Sequence, residues 1–165
     1  MALPDLKKYD LLDLILAETW PEEKQADTAL KFNYALAGYL NENLSPHLDE
    51  KTEAEFEALT RDPSITPQKI EEFYKTKIPD FWEKIEQLVL EFKKMFVLGV
   101  YENKVKELKD SVLGMEQTIA QETDEARKTL YQKIKSDLAD WEEILNTAKV
   151  DDWDRVYSLL QAIPH

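Results

Sequence analysis

Several residue types that build catalytic and metal sites are absent from this 165-residue chain or nearly so. It contains no cysteine, which excludes disulfides, thiolate metal ligands and cysteine nucleophiles. Its two histidines, His47 and His165, do not sit three residues after a glutamate, the spacing of a di-metal site in a helical bundle. Neither a Gly-x-Ser-x-Gly elbow nor a phosphate-binding glycine loop occurs. We therefore expect no metal, no cofactor and no catalytic residues.

Long apolar runs and an excess of basic charge are also missing. No run approaches the roughly 18 apolar residues of a membrane span, and the N-terminus lacks the apolar core of a signal peptide. We therefore expect a cytoplasmic protein that does not enter a membrane. The 34 acidic residues outnumber the 21 lysines and arginines and give a net charge of -13. Direct binding to nucleic acid is disfavoured, because it draws on basic side chains.

Glycine is scarce as well. Only Gly38, Gly99 and Gly114 are present, and all three fall inside helical patterns. The chain is rich in Leu, Glu, Lys and Ala, which favour helices over strands. With 43% hydrophobic residues it can still bury a core. The sequence predicts an all-α protein.

The longest helical pattern runs from about Pro79 to Gln121. Its apolar residues recur at spacings of three and four in two stripes, which are Phe81, Ile85, Leu88, Phe92 and Met95, and then Leu98, Tyr101, Val105, Leu108, Val112, Met115 and Ile119. The stripes are out of register by one residue, so the buried face should rotate by about a quarter turn between them. We expect two small cores on different sides of one long helix, in an elongated protein. A break at Gly99 or at Gly114 is the alternative, and a kink is more credible at Gly99.

Proline and capping residues divide the rest of the chain into shorter helices. They predict an N-terminal acidic helical module, residues 1–97, and a C-terminal antiparallel three-helix bundle, residues 98–165, which share the long helix of about 79–121. The expected caps are Asp49, Thr66, and Thr123 or Asp124, and Asp151 with Asp152 precede the last helix as partners of its dipole. Residues expected to face inward include Ala26, Leu30, Leu36, Leu40 and Leu44 in the second helix, and Ala126, Leu130, Ile134, Leu138 and Trp141 in the helix that follows the long one.

Three motifs precede a helix that contains Phe92, in the order Trp20-Pro21-Glu22-Glu23-Lys24, Asp62-Pro63 and Lys77-Ile78-Pro79-Asp80-Phe81. By this order of motifs the N-terminal module resembles a family of small acidic all-helical domains from candidate-phyla bacteria. The resemblance covers about residues 6–97 and departs at Phe32–Leu40, where an apolar segment replaces a more polar one. It implies a helical N-terminal module and transfers no functional residue.

The missing chemistry favours a non-catalytic protein-protein interaction or scaffold module. Tyrosine and tryptophan are preferred anchors of such interfaces, and the candidate docking residues are Trp20, Tyr34, Tyr39, Trp82 and Trp153. Core packing would explain each of them equally well. One alternative is an acidic mimic or inhibitor of a nucleic-acid-binding protein, and another is an enzyme that uses carboxylates alone. The chain should be a monomer or, if a stripe stays uncovered, a coiled-coil dimer.

Overall fold

The computed structural model describes residues 3–164, and its side chains from residue 5 onward. Within this range the all-α prediction is confirmed, since the chain forms helices and no strand. The α-helices are α1 (Leu11–Leu14), α2 (Glu22–Leu44), α3 (Glu50–Thr60), α4 (Pro67–Lys77), α5 (Phe81–Ile119), α6 (Glu125–Lys149) and α7 (Trp153–Ala162). Short 3-10 helices lie at Leu3–Lys8, Ala17–Thr19 and Ser45–His47. None of the helices in this part of the chain combines the length and apolarity that a bilayer crossing requires.

Side-chain caps begin several of these helices, as the sequence predicts for α3, α4 and α6. The Asp49 carboxylate accepts the Thr52 backbone N–H at 2.8 Å and starts α3. The Thr66 hydroxyl caps α4, and Asp152 caps α7. Of the two candidates before α6, Asp124 is the cap. Each cap satisfies an N–H group that the helix itself leaves unpaired.

The long helix α5 is continuous. It has 39 residues and passes through both Gly99 and Gly114, so the alternative of a helix broken at either glycine is wrong. Neither glycine has a positive φ. Buried side chains on both sides of Gly99, at Val97 and Tyr101, fix the helix against its neighbours.

The chain divides into two compact units. Unit 1 comprises residues 1–25 and 93–165, and unit 2 comprises residues 26–92. This division differs from the predicted boundary after residue 97, because the first 25 residues group with the C-terminal helices. The boundary inside α5 nevertheless falls close to the register change between the two apolar stripes.

Polar contacts from α5 attach the N-terminal segment to unit 1. The Lys93 ammonium donates to the Leu6 carbonyl at 3.1 Å and to the Tyr9 carbonyl. The Tyr101 hydroxyl donates to the Leu14 carbonyl at 2.6 Å. These bonds occupy carbonyls that the short N-terminal helices leave free.

The core of unit 1 is formed by α5, α6, α7 and the N-terminal segment. Its fully or almost fully buried side chains are Leu6, Leu14, Ile15, Ala17, Val97, Tyr101, Ile144, Ala148, Trp153, Val156 and Leu160. The Tyr9 and Tyr157 rings stack with centroids 4.7 Å apart. The predicted three-helix bundle therefore has a fourth contributor, the segment before α2.

The core of unit 2 is smaller and strongly aromatic. Leu44, Tyr74, Ile78 and Phe81 are buried together, and half-buried side chains of α2, α3, α4 and α5 pack against them. In α3 no side chain is buried, and Phe56 contributes by packing its ring 5.1 Å from that of Tyr74.

Some residues that were expected inside lie on the surface. In α2, Ala26 and Leu30 are exposed, because the packed side of this helix runs instead through Phe32, Leu36 and Leu40. Met95 in α5 is exposed as well. In α6, Ala126 and Leu130 are exposed, because α7 does not extend over that part of the helix.

Candidate docking surfaces

One side of α2 presents apolar and small side chains to solvent. Tyr34 is 74% exposed and Leu30 is 56% exposed. They are four residues apart, so they lie one turn from each other on the same side of the helix. Ala26 and Ala37, also exposed, extend this side in both directions. We call these four residues the α2 face.

The surroundings of the α2 face leave room for another molecule to approach the helix closely. Gly38 lies beside it, and a Cβ atom placed on this glycine would meet nothing within 4 Å. An ion pair between Lys31 and Asp27, at 2.7 Å, borders the face and places the nearest charges at its edge. Uncharged apolar strips with a polar rim are typical of docking surfaces.

Trp82 is the second exposed aromatic residue among the candidates. It is 52% exposed at the start of α5. Its ring meets that of Phe81 edge-on, with centroids 5.2 Å apart, and the Lys75 ammonium lies 5.8 Å from the ring centroid. These contacts restrict the motion of the indole on one side and leave its other side exposed. A partner that binds the exposed side would therefore lose little side-chain entropy at Trp82.

Two of the other candidates are half-buried. The Lys24 ammonium sits 3.9 Å from the centroid of the Trp20 ring and covers part of it. The Tyr39 ring packs 5.3 Å from Phe92, and its hydroxyl donates to Glu91 at 3.4 Å. Both side chains are engaged within the fold and offer only part of their surface.

Trp153 is not a surface residue. It is completely buried at the start of α7, and its indole N–H donates to Asp151 at 3.2 Å. Its large apolar ring fills the core of unit 1, so it has no surface to offer a partner. Trp153 is therefore removed from the candidate docking residues.

Sequence reasoning missed Leu30. It was placed inside because the wide apolar arc of α2, which also holds Phe32, Tyr34 and Tyr39, was interpreted as core packing rather than as a partner groove. The signal that could have found it is the width of the apolar arc in Phe32–Leu40, which is more than one packing side can bury. Such an arc requires that part of it face solvent or a partner.

The acidic cluster before α7 is explained by contacts within unit 1. Asp151 pairs with Lys94 at 2.8 Å, and Asp152 caps the helix. Asp154 accepts the Tyr9 hydroxyl at 2.5 Å. Over residues 3–164 no group of three acidic or histidine side chains could hold a metal ion. His165 lies outside the described residues.

The described carboxylates all keep contact with solvent. Thr147 is the one buried polar side chain in the described range, so no aspartate or glutamate there lies in an apolar cleft. The Tyr9 hydroxyl and the nearby Lys8 hold the pKa of Asp154 below its usual range. The structure thus provides no candidate for the raised-pKa acid of a carboxylate-pair mechanism.

His47 is exposed, at the edge of a shallow cavity of about 230 Å³ in unit 2. Lys84, Gln87 and Leu88 line the rest of that cavity. No other imidazole and no carboxylate of residues 5–164 is found in its lining, so none of these residues offers His47 a metal-binding partner there.

Comparison of the chain with protein-family models, with curated proteins and with solved structures finds no match. Membership of the acidic helical family therefore stays a prediction from its three motifs.

Proposed function

We propose that this chain is a non-catalytic protein-protein interaction or scaffold module that docks a partner protein through the α2 face and Trp82. The observation that carries the proposal is the exposure of Tyr34 together with Leu30 on a helix whose other side is packed. A rigid helix presents such side chains at little entropic cost, and large aromatic side chains dominate interface energies. We place the module in the cytoplasm, with no direct role for nucleic acid or membrane.

The net charge of -13 would affect how fast a partner is met. A strongly acidic surface accelerates encounter with a basic partner but contributes less to the final affinity. The apolar α2 face would supply the affinity, because burial of apolar surface is only weakly salt-dependent.

Affinity capture with variant baits tests the proposal. We expect the wild-type chain to recover a specific protein at physiological salt, and the double variant Leu30→Glu with Tyr34→Ala to recover at least about tenfold less, the effect of losing a hot-spot pair. Leu113→Glu is the matched control, since Leu113 is 59% exposed and lies in unit 1. Failure to recover any specific protein, or equal recovery by the double variant, would contradict the proposal.

The salt dependence of capture separates this proposal from an acidic mimic. All described carboxylates are at the surface, which is the observation that favours mimicry. A mimic binds through charge, so its complex should be lost between about 0.15 and 0.5 M salt, over which the Debye length falls from about 8 Å to about 4 Å. A complex that survives this step supports docking through the apolar face.

A further inference from the structure

The last helix of unit 1 is much shorter than the helix it packs on. At 1.5 Å per residue, the ten residues of α7 span about 15 Å and the 25 residues of α6 about 37 Å. The two run antiparallel, because Arg155 near the start of α7 pairs with Glu143 at 2.6 Å, whereas Ile163 and Pro164 lie beside Asp137. Thus α7 covers only the C-terminal part of α6.

Burial along α6 changes where α7 ends. The covered part holds the buried side chains Trp141, Ile144, Leu145 and Ala148. Towards the start of the helix Tyr131, whose hydroxyl reaches Glu116 of α5, is still buried, but the other apolar residues are less covered. Leu138 and Ile134 are half-buried, and Leu130 is 50% exposed.

The groove between α5 and α6 continues past the end of α7. A cavity of about 200 Å³ marks this point, and Lys104 of α5, Lys133 and Asp137 of α6, and Pro164 line it. At helical spacing Leu108 and Met115, both half-buried, follow Lys104 on the same side of α5.

Contacts between the two helices place these residues at the same level. The Tyr131 hydroxyl donates to Glu116 at 3.3 Å, and Lys109 pairs with Glu142 at 2.9 Å. The end of α5 therefore runs antiparallel to the start of α6. We call the uncovered part of the groove, with Leu108, Met115, Leu130 and Ile134, the tip groove.

We propose that the tip groove binds one amphipathic α-helix of a partner protein. The covered part of α6 shows what fits, since α7 packs there, and also against the Leu3–Lys8 helix, with Trp153, Val156 and Leu160, spaced three and four residues apart and all completely buried. A partner helix with this spacing would continue the existing packing.

Charge argues for a partner rather than a second copy of the chain. Two copies would each bring a net charge of -13 and repel each other. Lys104, Lys133 and Asp137 at the near end of the groove offer both signs of charge to residues that flank the apolar stripe of the helix. The inference deepens the proposed function by naming the kind of partner, but it concerns unit 1 and can fail independently of the α2 face.

A peptide with the sequence of residues 150–164 is the probe, because it contains the apolar stripe with which α7 packs on the neighbouring part of α6. Added to the isotope-labelled full chain at up to about 1 mM, the range of weak helix docking, it should shift the NMR signals of Leu108, Met115, Leu130 and Ile134. The indole signal of the chain's own Trp153 should not move.

Paired variants give the sharpest comparison. Leu130→Glu, and separately Leu130→Ala, should weaken peptide binding by at least about tenfold, since each removes an apolar contact at the centre of the site. Leu113→Glu should leave it unchanged, because Leu113 lies about 140° around α5 from Leu108. Thermal unfolding of each variant verifies that it is folded.

Three results would overturn the inference. The first is the absence of shifts at the tip groove at the highest peptide concentration. The second is a shift of the Trp153 indole, which would mean that the peptide replaces α7. The third is self-association of the chain that Leu130→Glu abolishes, which would identify a second copy as the occupant. None of these results would affect capture of a partner by the α2 face.

Discussion

At the scale of single residues, a few side chains of α5 determine where the N-terminal segment lies. That segment consists of a six-residue 3-10 helix and a four-residue α1, which are too short to be stable alone. Tyr101 is completely buried, and burial raises the pKa of its hydroxyl. Because the hydroxyl stays protonated, it can donate to the Leu14 carbonyl at any physiological pH.

Removal of the Tyr101 hydroxyl should destabilise the protein. In Tyr101→Phe the buried Leu14 carbonyl loses its donor, which costs about 1–3 kcal/mol of unfolding free energy in denaturant titrations. Tyr157→Phe is the control, because it retains the ring that stacks on Tyr9. The hydroxyl that this variant removes, that of Tyr157, makes no hydrogen bond to any described residue. Equal stability of the two variants would show that the Leu14 bond contributes nothing.

The second prediction for a single residue concerns how the stability contributed by Asp154 depends on pH. The bond from the Tyr9 hydroxyl and the charge of Lys8 lower the pKa of the Asp154 carboxyl in the folded chain. The resulting stabilisation is present above the unfolded pKa of about 3.9 and is lost as pH falls through the lower folded value.

We therefore expect Asp154→Asn to reduce the melting temperature at neutral pH, with the difference from wild type shrinking below about pH 4. Asp110→Asn, at an exposed position on α5, should follow the wild-type curve at every pH. A difference for Asp154→Asn that persists undiminished into acid would assign the effect to packing rather than to charge.

At the scale of elements, α5 is unusual in carrying two glycines without a break. Neither glycine has a positive φ, and a Cβ atom on Gly99 or Gly114 would meet nothing within 4 Å. The backbone entropy that each glycine loses on folding therefore destabilises the helix, and no turn or close contact requires a glycine at either position.

Replacement of these glycines by alanine should stabilise the chain. Gly99→Ala and Gly114→Ala should each raise the unfolding free energy by about 1 kcal/mol, the difference between glycine and alanine within a helix. Chemical denaturation measures both. Loss of stability in Gly99→Ala alone would point to a bend at that residue that alanine cannot adopt.

The elements differ in how far the sequence predicts them. Helices α3, α4, α6 and α7 begin at local capping residues, and each such signal involves only a few neighbours in sequence. The attachment of the N-terminal segment depends on backbone carbonyls of Leu6, Tyr9 and Leu14, which no side-chain pattern reveals. For α2, the prediction that Leu30 faces inward is wrong, because the wide apolar arc of this helix allows more than one packing side.

The exposure of the candidate docking residues could not be predicted from the sequence either. Composition singled out the aromatic residues, but exposure depends on what the rest of the fold covers. Tyr34 and Trp82 remain at the surface, whereas Trp153 fills the core of unit 1. Helical spacing alone could not distinguish them, since each lies on a helix with apolar neighbours.

At the scale of the whole molecule, the chain combines a strongly acidic surface with a few exposed apolar side chains. The charge of -13 favours solvation and opposes association between copies. Among the exposed large apolar side chains, Tyr34, Leu30 and Trp82 in unit 2 and Leu130 in unit 1 are those that we propose a partner covers. This contrast between charge and apolar side chains is the basis for assigning an interaction role.

Site-specific photo-crosslinking in cells tests that role most directly. A photoreactive phenylalanine analogue would replace Tyr34, Trp82 or, as the control, Leu113, all of which are more than half exposed. We predict one discrete adduct with another protein from positions 34 and 82 and none from position 113. No adduct from either test position, or the same adducts from all three, would contradict the assignment of this chain as a protein-docking module.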